Sequence, residues 1–497
     1  MQRGHSGLNL KMARMVLACA GLLSGLTLSM PQAVAEDWLK FGRDLSNSAH
    51  SAEFSINSSN VKSLQTKWTF QTGGEISTTP AVATFSGQHI LFIGSWTGVF
   101  YALDATTGQK LWTFTVDYVG GRCNGQAPWC RIGSSPAVDV ANKMVYFGSY
   151  SGYLYALNAL TGQLVWKAQA GDSLAGYEVW SSPAVYNGMV FVGVSSHGDN
   201  PCLPGGSVNA YDEFTGQLVW TFNTIDQSTC PGGGICVGGS IWSSLAIDDV
   251  NGIVYAGTGN PGSTCTPPTQ NAGLYPDSIL ALSASTGKLL SYFQAIADDV
   301  NDKDFGASPV LHFSGTVNQC VPSGTRPLQY WLTEPSKNGY LFTLQRSANG
   351  WIGNPQQNFA QTLGFIATPG LLPAQLTQSC DSVGHKIINY NNIIYIPGSA
   401  GGLWLYEQLG YAPVALRKST PLSAQALLGA PAVISDIVLV GGSDGNFYAA
   451  DYNGNLLNTI AVGSPLLGGV AISNGAVYFG SKDGTVYGLT LGQARKK

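Results

Sequence analysis

The sequence predicts an all-β protein, an eight-bladed β-propeller of four-stranded antiparallel blades, and three observations carry that prediction. Charged residues make up only 10% of the 497 residues, whereas glycine contributes 63 residues and aromatics reach 11%. This composition favours many short strands joined by tight turns. A strand–turn–strand pattern recurs along the chain, and a second short motif precedes each copy. Regular self-similarity of this kind is typical of stacked or radial repeats.

The recurring unit is an apolar strand, an Asp or Asn, a Thr-Gly pair and a second strand that carries a tryptophan. Its clearest copies are YALDATTGQKLWTF (101–114), YALNALTGQLVWKAQ (155–169) and NAYDEFTGQLVWTF (209–222), with weaker ones at 280–293, 342–353 and 448–460. Glycine supplies the positive φ that a hairpin turn requires. We expect each tryptophan to pack against the next repeat and to donate a hydrogen bond through its indole N–H.

A motif of small residues marks the start of each repeat. Its copies are STTPAV (77–82), GSSPAV (133–138), WSSPAV (180–185), WSSLAI (242–247), GASPVL (306–311), GAPAVI (429–434) and GGVAIS (468–473), and an eighth start fits around 386–406. The last strand, at 484–491, has no tryptophan strand after it, and the tryptophan strand at 62–70 has no partner before it. Together they would complete one blade and close the ring, which disfavours a sandwich or a solenoid.

The first 35 residues are predicted to be a signal peptide cleaved after Ala35, and residues 36–497 a single propeller domain. A basic start precedes an apolar run at 15–30 and the small-residue pattern Ala33-Val34-Ala35. An uncleaved anchor is the alternative, although the run is short for a membrane span, which needs roughly 20 apolar residues. We therefore expect a periplasmic or secreted protein with no membrane span after removal of the signal.

Charge and cysteine usage exclude several classes of protein. The formal net charge of -4 argues against a basic nucleic-acid-binding protein. The 44% of hydrophobic residues can bury a large core, which argues against a largely disordered chain. Eight cysteines follow Cys19, an even number that favours disulfides after export. Cys123 and Cys130 flank a short loop and are a plausible local pair. The absence of a C-x-x-C-H motif excludes a c-type haem.

The A-x-D-x-x-T-G-x-x-x-W repeat resembles the tryptophan-docking motif of propellers that bind pyrroloquinoline quinone (PQQ). That family includes methanol, ethanol and polyvinyl-alcohol dehydrogenases, and the resemblance covers nearly all of the chain after residue 35. The opening DWLKFGRDLSNSAHS (37–51), with NVKSLQTKWTF (60–70), is most similar to the polyvinyl-alcohol dehydrogenase branch without a haem domain. A non-catalytic lipoprotein of outer-membrane barrel assembly has the same propeller, so fold does not settle function.

The resemblance implies a set of residues that bind the quinone. Arg131 matches the family arginine that pairs with a quinone carboxylate, for which a guanidinium fork is well suited. Ser181 and Ser196 match small hydroxyl positions beside the cofactor. Ser240 and Trp242, in GGSIWSSLAI, match the segment whose tryptophan forms the floor under the flat quinone ring.

The resemblance also implies a metal site and a catalytic base. Asp199 and Asn260 match metal ligands, and calcium or a lanthanide ion prefers such oxygen donors. Asp302 takes the position of the catalytic base and a metal ligand, and Asp304 matches a further aspartate that accompanies lanthanide in some members. Lys337 matches the cation that hydrogen-bonds the reactive quinone oxygens, where it would stabilise developing negative charge.

These matches predict an enzyme that oxidises an alcohol with PQQ and a bound metal and passes electrons to a separate acceptor such as a cytochrome c. Three features depart from the family pattern: Asp199 stands where a glutamate is usual, Asn301 stands where a tryptophan is usual, and no adjacent cysteine pair occurs. They keep open two alternatives, a propeller that has lost its cofactor and acts as a protein-interaction scaffold, and a quinone or metal binder without turnover.

Overall fold

The described residues of the computed structural model form an eight-bladed propeller of antiparallel sheets. The residues described are 36–118, 121–122, 130–196, 205–226, 237–261, 275–297, 299, 301–318, 328–359, 369–380, 386–409 and 412–492. The predicted signal peptide therefore lies outside them, and its assignment stays a prediction. The described residues include two single turns of 3₁₀-helix, Val61–Ser63 and Ser173–Ala175, and Cys130 is also 3₁₀-helical.

Strands β1 (His50–Ser51) and β2 (Leu64–Gln71) precede the first complete blade. Blade 1 comprises β3 (Ala81–Phe85), β4 (Gln88–Gly94), β5 (Val99–Asp104) and β6 (Lys110–Thr115). After the hairpin of β7 (Asp117–Tyr118) and β8 (Gly121–Arg122), blade 2 comprises β9 (Ala137–Asp139), β10 (Met144–Gly148), β11 (Tyr153–Asn158) and β12 (Leu164–Gln169).

Blade 3 comprises β14 (Ala184–Tyr186), β15 (Met189–Ser196), β16 (Ser207–Asp212) and β17 (Leu218–Asn223), with β13 (Tyr177–Glu178) also paired to β15. Blade 4 comprises β18 (Ala246–Asp248), β19 (Ile253–Gly257), β20 (Ser278–Ser283) and β21 (Leu289–Gln294). Blade 5 comprises β22 (Val310–Asn318), β23 (Gln329–Pro335), β24 (Tyr340–Arg346) and β25 (Ile352–Phe359).

Blade 6 comprises β26 (Gly370–Cys380), β27 (Lys386–Pro397), β28 (Gly402–Gln408) and β29 (Ala415–Pro421), and β27 also pairs with β22 of blade 5. Blade 7 comprises β30 (Ala432–Ile434), β31 (Ile437–Gly441), β32 (Asn446–Asp451) and β33 (Leu456–Ala461), with β1 added in parallel to β30. Blade 8 comprises β34 (Ala471–Ser473), β35 (Ala476–Gly480), β36 (Thr485–Leu491) and β2.

The predicted closure of the ring is confirmed in blade 8. Strand β2, from near the start of the described chain, pairs antiparallel with β36, the last strand, so that Leu64 lies opposite Leu491 and Gln71 opposite Thr485. Strands from the two ends of the chain thus share one sheet, and their backbone hydrogen bonds hold the ring closed.

The predicted role of the repeat tryptophans is confirmed at four successive joints between blades. Each indole lies against the turn glycine of the next blade, and its N–H donates a hydrogen bond of 2.8–3.1 Å to a backbone carbonyl of that turn. A Cβ on any of these glycines would lie 2.4–2.6 Å from the indole, and each glycine has a φ between 69° and 74°. The four pairs are Trp68 with Gly108, Trp112 with Gly162, Trp166 with Gly216 and Trp220 with Gly287.

The first strands of the blades contact one another around a central channel. One end of this channel is crossed by the segment 36–53. Backbone hydrogen bonds connect this segment to the first strands of blades 1, 2, 4, 5, 6 and 7 through Val82, Val138, Ile247, Leu311, Leu371 and Val433. The buried amide of Asn47 donates a further bond of 3.0 Å to the carbonyl of Pro309. The motif DWLKFGRDLSNSAHS therefore closes the channel at one end.

Candidate functional site

Three loops of blades 4 and 5 bring together an amide, two carboxylates and an ammonium group. Asn260 follows β19, Asp302 and Asp304 lie between β21 and β22, and Lys337 lies in the turn between β23 and β24. Lys337 Nζ is 2.6 Å from Asp302 Oδ1 and 2.8 Å from Asp304 Oδ1. The side-chain amide of Asn260 donates to Asp302 Oδ1 at 2.9 Å. Four of the residues predicted from the sequence thus form one cluster.

The two carboxylates of this cluster differ in exposure. The Asp302 side chain is 67% exposed, whereas that of Asp304 is completely buried. Burial raises the pKa of Asp302, but the hydrogen bonds from Lys337 and Asn260 outweigh it and lower the pKa below its usual value. Asp302 also has a φ of 57°. A left-handed non-glycine residue costs conformational energy, and such strain concentrates at functional sites.

Asp299, in the same loop, has a structural role in this arrangement. Its carboxylate accepts the backbone N–H groups of Asn301 at 2.8 Å and Lys303 at 2.6 Å. These bonds turn the chain so that Asp302 and Asp304 both reach Lys337. Asn301, which stands where the family pattern has a tryptophan, is exposed.

Glu334 is a member of this neighbourhood that the sequence did not reveal. Its side chain is fully buried at the end of β23, and neither carboxyl oxygen has a hydrogen-bond partner among the described residues. Gly257 provides the space, because a Cβ there would lie 2.1 Å from Glu334 Oε1. Burial, with a smaller contribution from the charge of Asp304, raises the pKa of Glu334 well above its usual value. Its position inside a strand looks like that of a core residue, so only the fold places it beside Asp304.

Ser196 and Ser240 connect blade 3 to the Asn260 loop. Their hydroxyl oxygens lie 2.8 Å apart, and the N–H of Ser196 donates to Ser240 Oγ at 3.1 Å. The backbone of Ser240 in turn accepts the N–H of Gly259 at 2.7 Å. Ser181 is buried elsewhere in blade 3, and its hydroxyl finds no partner within the described ranges. Asp199 lies outside the described residues.

Trp242 lies beside the cluster, and Lys337 Nζ is 5.0 Å from the centroid of its ring. The neighbouring Gly306 leaves room for the indole, because a Cβ there would lie 2.7 Å from Trp242 Cη2. Trp242 is the first of four aromatic rings in a row, followed by Trp180, Tyr150 and Trp96, which we call the aromatic arc. The sequence did not predict this arc. Successive centroid distances along the arc are 5.5 Å from Trp242 to Trp180, 5.8 Å from Trp180 to Tyr150 and 6.5 Å from Tyr150 to Trp96.

Arg131 lies at the other end of this arc. Its guanidinium carbon is 4.1 Å from the centroid of the Trp96 ring, a cation–π contact. The preceding residue, Cys130, is disulfide-bonded, but Cys123 lies outside the described residues, so their pairing stays a prediction. The aromatic arc therefore has a cation at each end. Arg131 precedes the first strand of blade 2, and Lys337 lies in a turn of blade 5.

The three tryptophans of the arc line a cavity of about 290 Å³ in the central channel. Phe41, from the segment that closes the channel, forms part of its wall, as do Trp96, Trp180 and Trp242. Six residues of the blade-start motifs also line this cavity and form an open chain of hydrogen bonds. The N–H of each residue donates to the hydroxyl of the next, in the order Gly469, Thr79, Ser135, Ser182, Ser244 and Ser308.

The oxygen donors beside Trp242 suit a hard cation, because Ca²⁺ and lanthanide ions take carboxylate and amide oxygens. Asn260 Oδ1 is buried and finds no hydrogen-bond partner in the part of the chain that the structure describes. Within the same part, no group of three or more His, Cys, Asp or Glu residues is arranged to hold a metal. The described donors are thus two carboxylates and one amide oxygen, which fit a cation site that needs a further ligand.

Comparison with known proteins gives the family of the chain. The family model for the PQQ-binding β-propeller domain of glucose, ethanol and alcohol dehydrogenases matches residues 38–351. The chain belongs to this family. Quinohemoprotein alcohol dehydrogenase ADH IIB of Pseudomonas putida is 29% identical over 337 residues, which is 63% of this chain and 46% of the relative. Polyvinylalcohol dehydrogenase of Pseudomonas sp is 26% identical over 364 residues, which is 67% of this chain and 54% of the relative.

A solved structure confirms the fold of this PQQ-family chain. The quinohemoprotein alcohol dehydrogenase from Comamonas testosteroni superposes with a TM-score of 0.66 at 20% identity, covering 93% of this chain and 81% of that one. The chain spans about half the length of the curated relatives it matches. No helix within the described ranges is both long and apolar enough to cross a membrane.

Proposed function

We propose that the protein is an exported PQQ-dependent alcohol dehydrogenase that oxidises an alcohol to an aldehyde or ketone. One observation carries this proposal: Lys337 contacts both Asp302 and Asp304 while it lies over Trp242. In this proposal Asp302 would serve as the acid–base carboxylate, Lys337 as the electrophilic cation and Trp242 as the stacking surface. Membership of the family supports it.

The cofactor fits the charge pattern of the aromatic arc. PQQ is a flat quinone with three carboxylates, and the arc offers indole faces between two cations. Trp242 would stack on the ring, Arg131 would pair with a carboxylate, and Ser181, Ser196 and Ser240 would offer hydroxyl groups. Asp199, Asn260, Asp302 and Asp304 would hold the metal ion, calcium or a lanthanide. When bound, PQQ supplies the two-electron acceptor that no side chain can supply.

Asp302 is the residue that would accept the hydroxyl proton of the alcohol. Its lowered pKa keeps the carboxylate ionised at neutral pH, and its exposure leaves it accessible to substrate. While Lys337 pairs with it, Asp302 is a weak base. Loss of this ion pair would raise the proton affinity of Asp302 and make it a stronger base.

Electrons would leave the reduced protein to an acceptor such as a cytochrome c. The polyvinyl-alcohol dehydrogenase among the relatives suggests a secondary or polymeric alcohol as one substrate to test. A periplasmic or secreted location would follow from the predicted signal peptide.

The experiment that tests the proposal is reconstitution of the mature chain with PQQ and either Ca²⁺ or La³⁺, followed by dye reduction with a panel of alcohols. We expect turnover, and we expect Asp302→Asn to lose at least 100-fold in kcat because general base catalysis contributes roughly that much. Asp304→Ala would shift the preference from La³⁺ towards Ca²⁺.

Asp212→Asn is the matched control. Asp212 caps a turn through bonds to the N–H groups of Phe214 and Thr215, and blade 2 already uses Asn158 for the same bonds. This variant should retain full activity. Absence of PQQ binding with either ion would contradict the proposal and favour the interaction scaffold.

A further inference from the structure

One position of the blade-start motif lines the channel in seven blades and varies widely among them. In most blades the motif contains a proline, as in Ser-Ser-Pro, and the position lies three residues before it. In blades 4 and 8 another residue replaces this proline, and the position is counted from that residue. The seven residues, all of which line the 290 Å³ cavity, are Ser77, Gly133, Trp180, Trp242, Gly306, Leu428 and Leu467. The fold therefore accepts small, branched and aromatic side chains there and does not itself require tryptophan.

The two tryptophans at this position contrast with the tryptophans that join the blades. Trp68, Trp112, Trp166 and Trp220 each lie on a turn glycine and donate to a backbone carbonyl of the next blade. Trp180 is half-buried, as Trp68 and Trp112 are, but it lines the cavity instead of a joint between blades. Large apolar surface left open in a cavity is typical of a ligand site.

Neighbouring residues make room for both indoles. Gly133 precedes Trp180 around the ring and Gly306 follows Trp242. A Cβ on Gly133 would lie 3.2 Å from Trp180 Cδ1, and a Cβ on Gly306 would lie 2.7 Å from Trp242 Cη2. The two indole planes are inclined by only 32°. Both indoles line the cavity, and Leu428 and Leu467 line it from the opposite blades.

We infer that Trp180 and Trp242 together form a floor of two indoles under the flat quinone, so that Trp180 is a further cofactor-binding residue of this site. The inference rests on the proposed function. A ring system of several fused rings is wider than one indole, and stacking energy grows with the overlapped area. The second indole would extend that overlap towards Arg131, where a carboxylate of the cofactor would be paired.

The test compares PQQ binding in Trp180→Leu, Trp180→Phe and the unmodified mature chain. Leucine is the natural residue at this position in blades 7 and 8, so Trp180→Leu should fold, and its thermal midpoint will verify this. Binding is measured, with Ca²⁺ present, by quenching of tryptophan fluorescence and by the absorption spectrum of bound PQQ. Trp351→Phe is the control, because Trp351 is 43% exposed on blade 5 and does not line the cavity.

We expect Trp180→Leu to weaken PQQ binding about ten-fold, in the range found for loss of one aromatic stacking contact, and to shift the spectrum of the bound quinone. Trp180→Phe should recover most of the affinity, and Trp351→Phe should match the unmodified protein. Unchanged or tighter binding by a folded Trp180→Leu variant would overturn the inference while leaving the proposed function intact. Failure of the unmodified chain to bind PQQ would overturn both.

Discussion

Blades 8, 1, 2 and 3 each contact the next blade through a tryptophan, whereas the joint between blades 4 and 5 uses different chemistry. At the joint of blades 3 and 4, Trp220 lies on Gly287. At the corresponding place in the joint of blades 4 and 5, Leu290 lies on Gly350. Leucine fills the space but donates no hydrogen bond. A buried ion pair takes over there, since Arg346 of blade 5 contacts Asp248 of blade 4 and their side chains are 8% and 5% exposed. The same blade geometry is thus held by two kinds of joint.

The difference coincides with the candidate site. Asn260, Asp302, Asp304 and Lys337 all lie at the joint between blades 4 and 5. At the four tryptophan joints the central contact is an indole packed on a turn glycine, whereas the central contact of this joint is a buried pair of opposite charges. The joint between blades 4 and 5 therefore combines a buried ion pair with the polar residues of the proposed chemistry.

The largest expected effect comes from breaking the ion pair of this joint. Arg346→Met leaves the charge of Asp248 buried without its partner, so we expect the free energy of unfolding to fall by about 3–5 kcal/mol. Urea denaturation measures it. The double variant Asp248→Asn/Arg346→Met removes both charges and should recover part of the loss. Equal stabilities of the single variant and the unmodified protein would show that the ion pair does not hold this joint.

A glycine-to-alanine pair sharpens the comparison of the two joints. Gly216→Ala and Gly350→Ala both place alanine at a positive φ, 70° and 82°, which costs about 1–2 kcal/mol each. The new methyl group would meet the rigid indole of Trp166 in the first variant. In the second it would meet Leu290, whose Cδ1 can rotate away but whose Cβ would also lie 2.8 Å from it. We expect Gly216→Ala to lose about 1–3 kcal/mol more. Similar unfolding midpoints for the two variants would contradict the idea that the tryptophan joint is the more rigid one.

The smallest effect concerns a carboxyl pair at the tryptophan joint of blades 2 and 3. Burial, together with Asp139, raises the pKa of Glu213 from 4.5 to about 7. Its folded pKa lies above its unfolded value, so its stabilising contribution is complete below about pH 4.5 and is lost as pH rises through about 7. Burial also raises the pKa of Asp139, but hydrogen bonds from Glu213 and Asn142 lower it overall.

We therefore expect the thermal midpoint of the unmodified protein to fall between pH 5 and pH 8, and Glu213→Gln to flatten that slope. Because Asp139 has its pKa moved in the opposite direction, its own contribution lies below this window. Parallel pH profiles for the two proteins would show that Glu213 does not titrate across this range.

Much of the fold was predictable because the repeat is local. The turn glycines, the tryptophans and the small-residue starts each occupy fixed places in a short unit, and closure through β2 and β36 followed from one unpaired strand at each end. Within the site, Asn260, Asp302, Asp304, Lys337 and Trp242 were found through the family pattern, and the structure brings these five together.

Trp180, Tyr150, Trp96 and Glu334 were not found, because each is an ordinary core or motif residue in its own segment. Trp180 and Gly133 occupy the same position of the blade-start motif, so the motif alone does not distinguish them. Only the circular arrangement of the blades brings this position from each blade to one cavity. Glu334 lies within a buried strand and looks like a core position in the sequence. Only the approach of the loop at 302–305 brings the charge of Asp304 next to it.

The sequence by itself determined the eight blades, their order, their turns and the residue types at the candidate site, because strand periodicity and turn chemistry are local properties of the chain. Tertiary structure decided which of those residues meet. Segment 36–53 closes the channel, two cations bracket one aromatic arc, and Lys337 lies between two carboxylates. These contacts join residues far apart in the chain, and their distances depend on how the blades close into a ring.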